Sequence, residues 1–334
     1  FKISHKYGPY YLFMISMSFM LLNSGCSTQT APDLHLNDIQ IVGSHNSYKK
    51  AIDPELMQIL YKEDSNLAVS LEYEHLPIRE QLDLGMRNLE IDIFHDPKGG
   101  RYKNPLGLQA IQNASDYDTL KMKMPGMKVF HVQDIDFRSH YDLFAEALTE
   151  IKEWSDDHPD HIPIIITMNL KDEVIDRPGF QTPLPFSPDA LDSVDNEILS
   201  VLGWDKLVHP DLVRSSYPTL EEAVTQSGWP LLNDVKGKFL FVLDAGENIN
   251  NLYIRDHNSL SGRLMFINSN EGTPESEFMI LNNNFISFTK IKKFVKKGYM
   301  VRKRSDANTI EARNNDYSRW LKALESGAQV ITTD

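Results

Sequence analysis

Short apolar runs alternate with longer amphipathic runs along most of this chain, and this alternation limits the fold more than any other feature of the sequence. The short runs predict strands and the longer runs predict helices. Strands that alternate with helices favour a parallel sheet with crossover connections. The predicted strands are residues 39–42, 88–93, 128–132, 162–168, 238–243, 264–267, 300–302 and 329–332, and the predicted helices are residues 77–84, 141–157, 187–202, 219–226, 288–297 and 309–325.

Eight strands in this alternation predict an α/β fold, a closed (β/α)8 TIM barrel that forms a single domain. A doubly wound open sheet is the competing architecture. On a barrel, the loops that follow the strands build the catalytic face. The irregular segments 95–126 and 171–187 each follow a strand, so we expect them to carry substrate contacts. For segment 95–126, a disordered surface excursion is the alternative.

The N-terminal 30 residues differ in composition from the rest of the chain. Lys2 and Lys6 precede an apolar run at 10–22, which is too short to span a bilayer as a helix and fits an export signal. Small residues precede Cys26, the only cysteine in the sequence, as they do in a bacterial lipoprotein cleavage box. We therefore expect Cys26 to be the lipidated first residue of the mature protein.

We therefore predict that the protein is exported and carries a lipid anchor. The anchor would hold it in the cell envelope, at the outer membrane or the cell surface. Secretion without an anchor is the main alternative, and a free thiol at Cys26 is another. The predicted segments are a signal peptide at 1–26, a tether at 27–36 and a catalytic barrel at 37–334.

The charge of the chain limits its partners. The formal net charge is −13, and no basic run is interleaved with stacking aromatic residues, which argues against nucleic acid. Nothing implies an obligate protein partner. Segment 290–304 has eight basic residues in fifteen. We interpret it as a barrel helix with a solvated basic face, and a surface for anionic headgroups is the alternative.

Polar residues follow or end the predicted strands. His45 and Asn46 follow the first strand, while Glu90 and Asp92 stand two apart in the second. Residues two apart in a strand point to the same face, so both carboxylates project together from a segment with a buried pattern. Two buried anions cost several kcal/mol unless a cation neutralises them, so a metal ion is suspected.

Other strand ends contribute further polar groups. His131 ends the third predicted strand, and Arg302 and Arg304 lie two apart at the seventh; Asn169 and Lys171 end the fourth. Each has an ordinary structural interpretation, such as a hydrogen-bonded histidine or a solvated lysine. The carboxylates of the second strand could likewise pair with Arg87 or Lys128. Their conjunction at one end of one barrel favours a shared site.

This set of groups suits phosphodiester cleavage. Carboxylate and amide oxygens are hard ligands, which fit Ca²⁺ or Mg²⁺ better than Zn²⁺. Two histidines beside such an ion allow one to take a proton and the other to donate one to a leaving oxygen. Lysine and arginine at the rim, namely Lys171, Arg302 and Arg304, could hold phosphate oxygens.

The chain resembles the bacterial calcium-dependent phosphatidylinositol-specific phospholipase C family, which is related to the X region of eukaryotic phosphoinositide phospholipases C. The similar segments are GSHNSY, RNLEIDIF, VFHVQD, IPIIITMNLKDE and the stretch from Arg302 to Asp334. The resemblance implies a phosphoric diester hydrolase. Its substrate would be phosphatidylinositol or a related phospholipid at a membrane surface, and its products diacylglycerol and an inositol (cyclic) phosphate.

The resemblance also implies residue roles. His45 would stabilise the phosphoryl transition state or assist the attacking hydroxyl, and His131 would be the general acid for the leaving group. Arg302 or Arg304 would bind phosphate or inositol. The implied Ca²⁺ ligands are Asn46, Glu90 and Asp92.

One position departs from the family pattern. The pattern has a glutamate as a further calcium ligand at the end of the fourth strand, where this chain has Asn169. An amide oxygen can still coordinate an ion. The site nevertheless loses one negative charge, so we expect weaker Ca²⁺ binding and altered competition from Mg²⁺.

Two rival functions remain open at this point. Glycerophosphodiester phosphodiesterases also combine a barrel, a Glu-x-Asp strand and two histidines, but Arg-Gly usually follows their first histidine. Here Asn46 and Ser47 follow His45. The second rival is a catalytically weakened surface lipoprotein that binds inositol lipids or glycans, which Asn169 would favour and the two histidines argue against.

Overall fold

The computed structural model describes residues 33–282 and 288–334, and the part of the chain from Asp33 onward forms one compact unit. Nine strands occur in the described residues. They are β1 (Ile41–Ser44), β2 (Asn88–Phe94), β3 (Lys128–Val129), β4 (Ile164–Leu170), β5 (Phe239–Leu243), β6 (Phe266–Ile267), β7 (Phe278–Ile280), β8 (Met300–Arg304) and β9 (Val330–Thr333).

Eight of these strands form a nearly closed barrel. Their order is β6-β5-β4-β2-β1-β9-β8-β7, and every neighbouring pair in it is parallel. A single parallel bridge between Asn268 and Phe278 joins the two ends of this order. The (β/α)8 barrel is therefore confirmed, and the open doubly wound sheet is not the architecture.

Two strand assignments from the sequence were wrong. The predicted strand 128–132 is only the two-residue β3, which pairs antiparallel with the end of β2 and lies off the barrel path. The eighth barrel strand is β7, which was not predicted. Three residues are too few to show the periodicity on which strand prediction depends.

The helices follow the predicted alternation with some differences. The predicted helix 309–325 is two helices, and Asn315 between them has a left-handed φ of 53°, which ends a right-handed helix. The helices are α1 (Pro54–Glu63), α2 (Ser65–Leu71), α3 (Ile78–Asp83), α4 (Leu106–Gln109), α5 (Phe144–Asp157), α6 (Pro188–Leu202), α7 (Pro210–Arg214), α8 (Leu220–Gln226), α9 (Glu247–Ile254), α10 (Phe288–Lys296), α11 (Ile310–Arg313) and α12 (Ser318–Ser326).

The main core lies between the barrel and its helices, and the strands are buried on both faces. All seven residues of β2 and all five of β5 are buried. Gly43 permits a close approach of β1 to β2, because a Cβ at this position would lie 2.5 Å from the Asn88 backbone oxygen. Any larger residue at position 43 would push apart the two strands that carry the first polar groups of the mouth.

Segment 95–126 packs on an apolar cluster of its own. Phe94 and Phe130 stack with their ring centroids 4.0 Å apart, and Tyr102 meets both rings edge-on. Buried side chains of α1 and α2 complete this cluster. The segment is thus a packed wall beside the barrel mouth.

The predicted signal peptide, Cys26 and residues 27–32 of the predicted tether lie outside the described residues, so those assignments stay predictions. In the described ranges, no helix combines the length and the apolar character that a membrane span requires.

A buried carboxyl group lies next to the single bridge, between Asn268 and Phe278, that joins the two ends of the barrel. Glu277, immediately before β7, is fully buried; its Oε1 accepts a 3.3 Å hydrogen bond from the Ile267 amide, while Oε2 has no hydrogen-bond partner. Burial raises the pKa of Glu277 well above its usual value. The folded protein therefore holds this group protonated at pH values where the unfolded chain ionises it.

Replacing Glu277 with glutamine should stabilise the protein as the pH rises. Because the pKa is raised on folding, the wild type loses stability above the unfolded pKa, whereas glutamine takes up no proton. We expect Glu277→Gln to gain about 1–3 kcal/mol at pH 8 and less at pH 5, measured by urea unfolding. The exposed Glu325→Gln variant is the control. Equal pH dependence in Glu277→Gln and wild type would contradict the expectation.

Candidate functional site

The polar residues selected from the sequence meet at one end of the barrel. Since parallel strands end at the same rim, residues that close β1, β2, β4 and β8 face a common mouth. The register places Asp92 opposite Asn169 and Glu90 opposite Thr167. The side chains at this mouth are His45, Asn46, Glu90, Asp92, His131, Asn169, Lys171, Arg302 and Arg304.

The GSHNSY segment is held against β2 by its own polar groups. Asn46 has a φ of 54°, a left-handed conformation that asparagine tolerates better than most residues. This turn lets the Ser47 amide donate to the Glu90 carbonyl at 2.9 Å, while the Ser47 hydroxyl accepts from the Glu90 amide at 2.8 Å. Ser47 is therefore structural, and it holds the turn that contains His45 against β2.

Glu90 is buried and shared by three groups. Asn169 Nδ2 donates to Glu90 Oε1 at 2.7 Å, His45 Nε2 lies 3.5 Å from the same oxygen, and Arg302 pairs with Oε2. Arg302 has no exposed surface, and its Nη1 lies 3.6 Å from Asp244 at the end of β5. Arg302 thus contacts carboxylates inside the mouth, and the pairing with Arg87 considered from the sequence is not formed.

Asp92 pairs with Lys171 across the rim. Lys171 Nζ lies 3.1 Å from Asp92 Oδ2, yet neither carboxylate oxygen accepts a well-directed hydrogen bond. Burial raises the pKa of Asp92, but the Lys171 ammonium and the nearby imidazoles of His131 and His45 outweigh it and hold the pKa below its usual value. Asp92 is therefore an ionised, buried carboxylate with unused acceptor capacity.

His45 is held by an aspartate at the other end of the chain. Its Nδ1 lies 2.7 Å from Asp334 Oδ1, and Arg304 Nη2 lies 2.7 Å from the same oxygen. The Thr309 amide donates to Asp334 Oδ2 at 2.9 Å. Burial acts to raise the pKa of Asp334, but these partners, His45 first among them, hold it well below its usual value. With Nδ1 occupied by Asp334, Nε2 is the ring nitrogen of His45 that faces Glu90 inside the mouth.

His131 has an equivalent arrangement. Its Nδ1 lies 2.8 Å from Asp136 Oδ2, and the tight turn between them is closed by the hydrogen bond from the His131 amide to the Asp136 carbonyl. Lys49 Nζ, fully buried, lies 3.0 Å from Asp136 Oδ1. The histidine is thus oriented by a carboxylate that a lysine holds from behind, and its Nε2 is not engaged by Asp136.

The mouth opens into a cavity of about 720 Å³. His131, Asn169, Lys171 and Asp244 line it together with apolar residues such as Phe94. Burial raises the pKa of Asp244 to about 6, although Arg302 opposes this. The acidic residues of the wall are Asp172, Glu173, Asp244 and Glu247.

Four residues of this site were missed in the sequence. Asp244 closes the run FLFVLD, a strand-end carboxylate like those that were noticed, so a signal existed. Asp334 likewise follows the last strand, whereas Asp136 and Lys49 carry no comparable signal, because each is identified only by its partner in the fold. Asp134, three residues after His131, is not part of this site; it accepts hydrogen bonds from the backbone amides of Leu106 and Gln181 in the surrounding loops.

Hard oxygen donors for a divalent cation are present. The two Asp92 oxygens, buried and without a well-directed hydrogen bond, are the feature that fits a cation best. Glu90 and the Asn169 amide adjoin them, whereas the Asn46 amide contacts Tyr73 and Tyr48. Within the described ranges, no group of three or more His, Cys, Asp or Glu side chains is arranged to hold an ion. The donor chemistry fits Ca²⁺, but Lys171 and Arg302 already neutralise the two β2 carboxylates.

Comparison with known proteins identifies one matching family. A model of the family described as phosphoinositide phospholipase C, Ca²⁺-dependent, matches residues 34–334. No curated protein matches the sequence significantly.

Solved structures with the same fold include calcium-dependent phospholipases C from bacteria. The enzyme from Pseudomonas sp. in an apo form shares 18% identity over 90% of each chain, with a TM-score of 0.52, and its myoinositol complex shares 17% over 90% of each chain, with a TM-score of 0.51. The Ca²⁺-dependent enzyme from Streptomyces antibioticus shares 18% identity over 89% of this chain and 94% of that chain, with a TM-score of 0.52. At these identities the likeness shows the barrel fold.

Removing the lysine behind Asp136 should destabilise the protein strongly. Lys49→Met leaves a fully buried carboxylate without one of its two partners, a loss of about 3–5 kcal/mol. Urea unfolding measures it. Lys152→Met, which breaks an exposed pair with Asp156, is the control and should cost about 1 kcal/mol or less. If Lys49→Met lowers the free energy of unfolding no more than the control does, the buried pair contributes no more to stability than an exposed pair.

Proposed function

Since the chain belongs to the Ca²⁺-dependent phosphoinositide phospholipase C family and is therefore a phosphoric diester hydrolase, we propose that it cleaves phosphatidylinositol into diacylglycerol and an inositol cyclic phosphate. The observation that carries this proposal is the pair of histidines at one barrel mouth, each oriented by a buried aspartate. A protein that only binds lipid would need no such pair.

The two histidines divide the proton transfers between them. His45, oriented by Asp334, accepts the proton of the inositol 2-hydroxyl at Nε2 as that oxygen attacks the phosphorus. The bond from phosphorus to the diacylglycerol oxygen breaks, and His131 Nε2 donates a proton to that leaving oxygen. The nucleophile belongs to the same molecule as the phosphate, so proximity supplies much of the acceleration. The two aspartates fix the orientation of each ring, and in the neutral His45 the hydrogen bond at Nδ1 leaves Nε2 as the basic nitrogen.

The residues that would hold Ca²⁺ are Asp92, Glu90 and the amides of Asn169 and Asn46. A bound ion would lower the pKa of the attacking hydroxyl and offset charge on the phosphoryl oxygens. Mg²⁺ could use the same oxygen donors, with stricter demands on geometry. Lys171 and Arg304, both partly exposed at the mouth, are the cations that can reach substrate phosphate, while Arg302 acts through Glu90.

The negative charge of the cavity wall favours a substrate whose inositol ring carries no additional phosphate groups. The wall carries four carboxylates and one ammonium group, Lys171, which is already paired with Asp92. A neutral inositol ring can donate hydroxyl hydrogen bonds to carboxylates such as Asp244. Additional phosphates on the ring would instead meet like charges at close range, which costs several kcal/mol.

The proposed setting is a membrane surface outside the cytoplasm. Export and lipid attachment at Cys26 would place the enzyme in the cell envelope, and secretion without the anchor would let it reach other bilayers. The substrate lipid is the only partner that this function requires.

Phosphorus NMR of phosphatidylinositol incubated with the protein tests the reaction directly. We expect a cyclic inositol phosphate with Ca²⁺ present and little product in EDTA. His131→Ala should lower kcat by about 10²–10⁴-fold, the usual contribution of a general acid. His95→Ala is the control, because His95 packs on Phe186 outside the cavity. Absence of an inositol phosphate from the wild type would contradict the proposal.

The headgroup preference is tested with lipids at a fixed mole fraction in mixed micelles. We expect kcat/KM for phosphatidylinositol to exceed that for phosphatidylinositol 4,5-bisphosphate by about 100-fold or more. Glu173→Gln with Glu247→Gln should narrow this ratio, since both carboxylates line the cavity, whereas Glu325→Gln should leave it unchanged. Equal use of both lipids would rule out the electrostatic argument.

A further inference from the structure

We propose that Lys171 is a resident cation that competes with the divalent ion for Asp92, so that an ion binds only when the ammonium group leaves. This inference rests on the proposed function in taking a divalent ion as the cofactor of the mouth. It adds a cause for weak ion binding that lies within this chain. It also gives Lys171 two alternative positions, one on Asp92 and one in the cavity.

The geometry puts the ammonium group where a metal ligand is needed. Lys171 continues the β4 ladder through the hydrogen bond from its amide to the Ile93 carbonyl, at 2.9 Å. Its Nζ lies 3.1 Å from Asp92 Oδ2. Asp92 is 1% exposed, so its carboxylate can be approached only from the mouth. An ion that coordinates both oxygens of Asp92 and the ammonium group in contact with Oδ2 therefore compete for that oxygen.

The other carboxylate of β2 cannot compensate. Glu90 is neutralised by Arg302, which is fully buried and has no solvent to which it can withdraw. Asn169 adds an oxygen but no charge. With both cations in place, Glu90 and Asp92 present no net negative charge to an ion. Displacing Lys171 is thus the available way to restore charge to the site.

The cavity provides an alternative position for the Lys171 side chain when an ion displaces it from Asp92. Its side chain is 30% exposed and lines the cavity next to Asp172 and Glu173. Repulsion between the ammonium group and a divalent ion at a few ångströms favours this move. Binding of the ion and the contact between Lys171 and Asp92 then exclude each other, so weakening that contact strengthens ion binding.

Isothermal titration of the whole protein with Ca²⁺, without lipid, tests the inference. We expect Lys171→Gln to bind Ca²⁺ about tenfold or more tightly than wild type. Lys171→Arg keeps the positive charge and should bind no more tightly than wild type. Lys152→Gln, which removes a lysine paired with an aspartate on the exposed surface, should have no effect. Binding by Lys171→Gln that is no tighter than wild type overturns the proposal.

A double variant shows whether the effect passes through Asp92. If Lys171 acts by occupying this carboxylate, the gain should disappear when Lys171→Gln is combined with Asp92→Asn and compared with Asp92→Asn alone. A gain of equal size in both backgrounds would show a general effect of surface charge and would overturn the proposed competition. Circular dichroism of each variant verifies that it is folded, and Lys171→Arg and Lys171→Gln decide the matter where Asp92→Asn does not fold.

The outcome is separable from that of the proposed function. Ion binding is read without substrate, and lipid cleavage is read by phosphorus NMR. Tighter Ca²⁺ binding by Lys171→Gln together with no cleavage of phosphatidylinositol by the wild type would refute the function and keep the competition. Cleavage of phosphatidylinositol by the wild type, without tighter Ca²⁺ binding by Lys171→Gln, would support the function and refute the competition.

Discussion

The charge pairs of the two β2 carboxylates are the interaction on which the barrel mouth depends. An isolated carboxylate at this depth would cost several kcal/mol, so each must meet a cation or a set of donors. Glu90 takes Arg302 from β8 and Asn169 from β4, and Asp92 takes Lys171 from the residue after β4. These contacts cross the barrel where apolar layers would otherwise fill it. The groups suited to chemistry therefore also hold three strands together at their ends.

Two aspartates complete the site by fixing the histidines. Asp334 reaches His45 from the end of β9, and Asp136 reaches His131 from the turn after β3. Both carboxylates are buried and have further partners, Arg304 and Lys49 respectively, so neither is free to swing away from its histidine. Loops on a rigid barrel thus present two histidines with defined orientation, which the proposed acid and base roles require.

The sequence predicted the barrel and the composition of the mouth, but not its pairings. Alternation of strands and helices is a local signal, and the rule that parallel strands end at one rim converts strand-end residues into a shared site. The partners are a tertiary property: Arg302 and Glu90 are 212 residues apart, and Asn169 and Glu90 are 79 apart. The sequence therefore predicts that a cation neutralises Asp92, but it does not identify Lys171 as that cation. The three-residue β7 was not predicted for a different reason: it is too short to show the alternating hydrophobic pattern of a strand.

The charge of the cavity wall bears on both the ion and the lipid. Inside the mouth the charges are matched in pairs, whereas Asp172, Glu173 and Glu247 on the wall form no ion pair within the described ranges. Uncompensated carboxylates in a cleft concentrate cations near its mouth. This field would raise the local concentration of a divalent ion and offset part of the charge that Asn169 fails to supply. The same field would repel a phosphodiester, so in the proposed reaction the substrate phosphate would lie near the two partly exposed cations of the mouth, Lys171 and Arg304, and the neutral inositol ring would face the carboxylates of the wall.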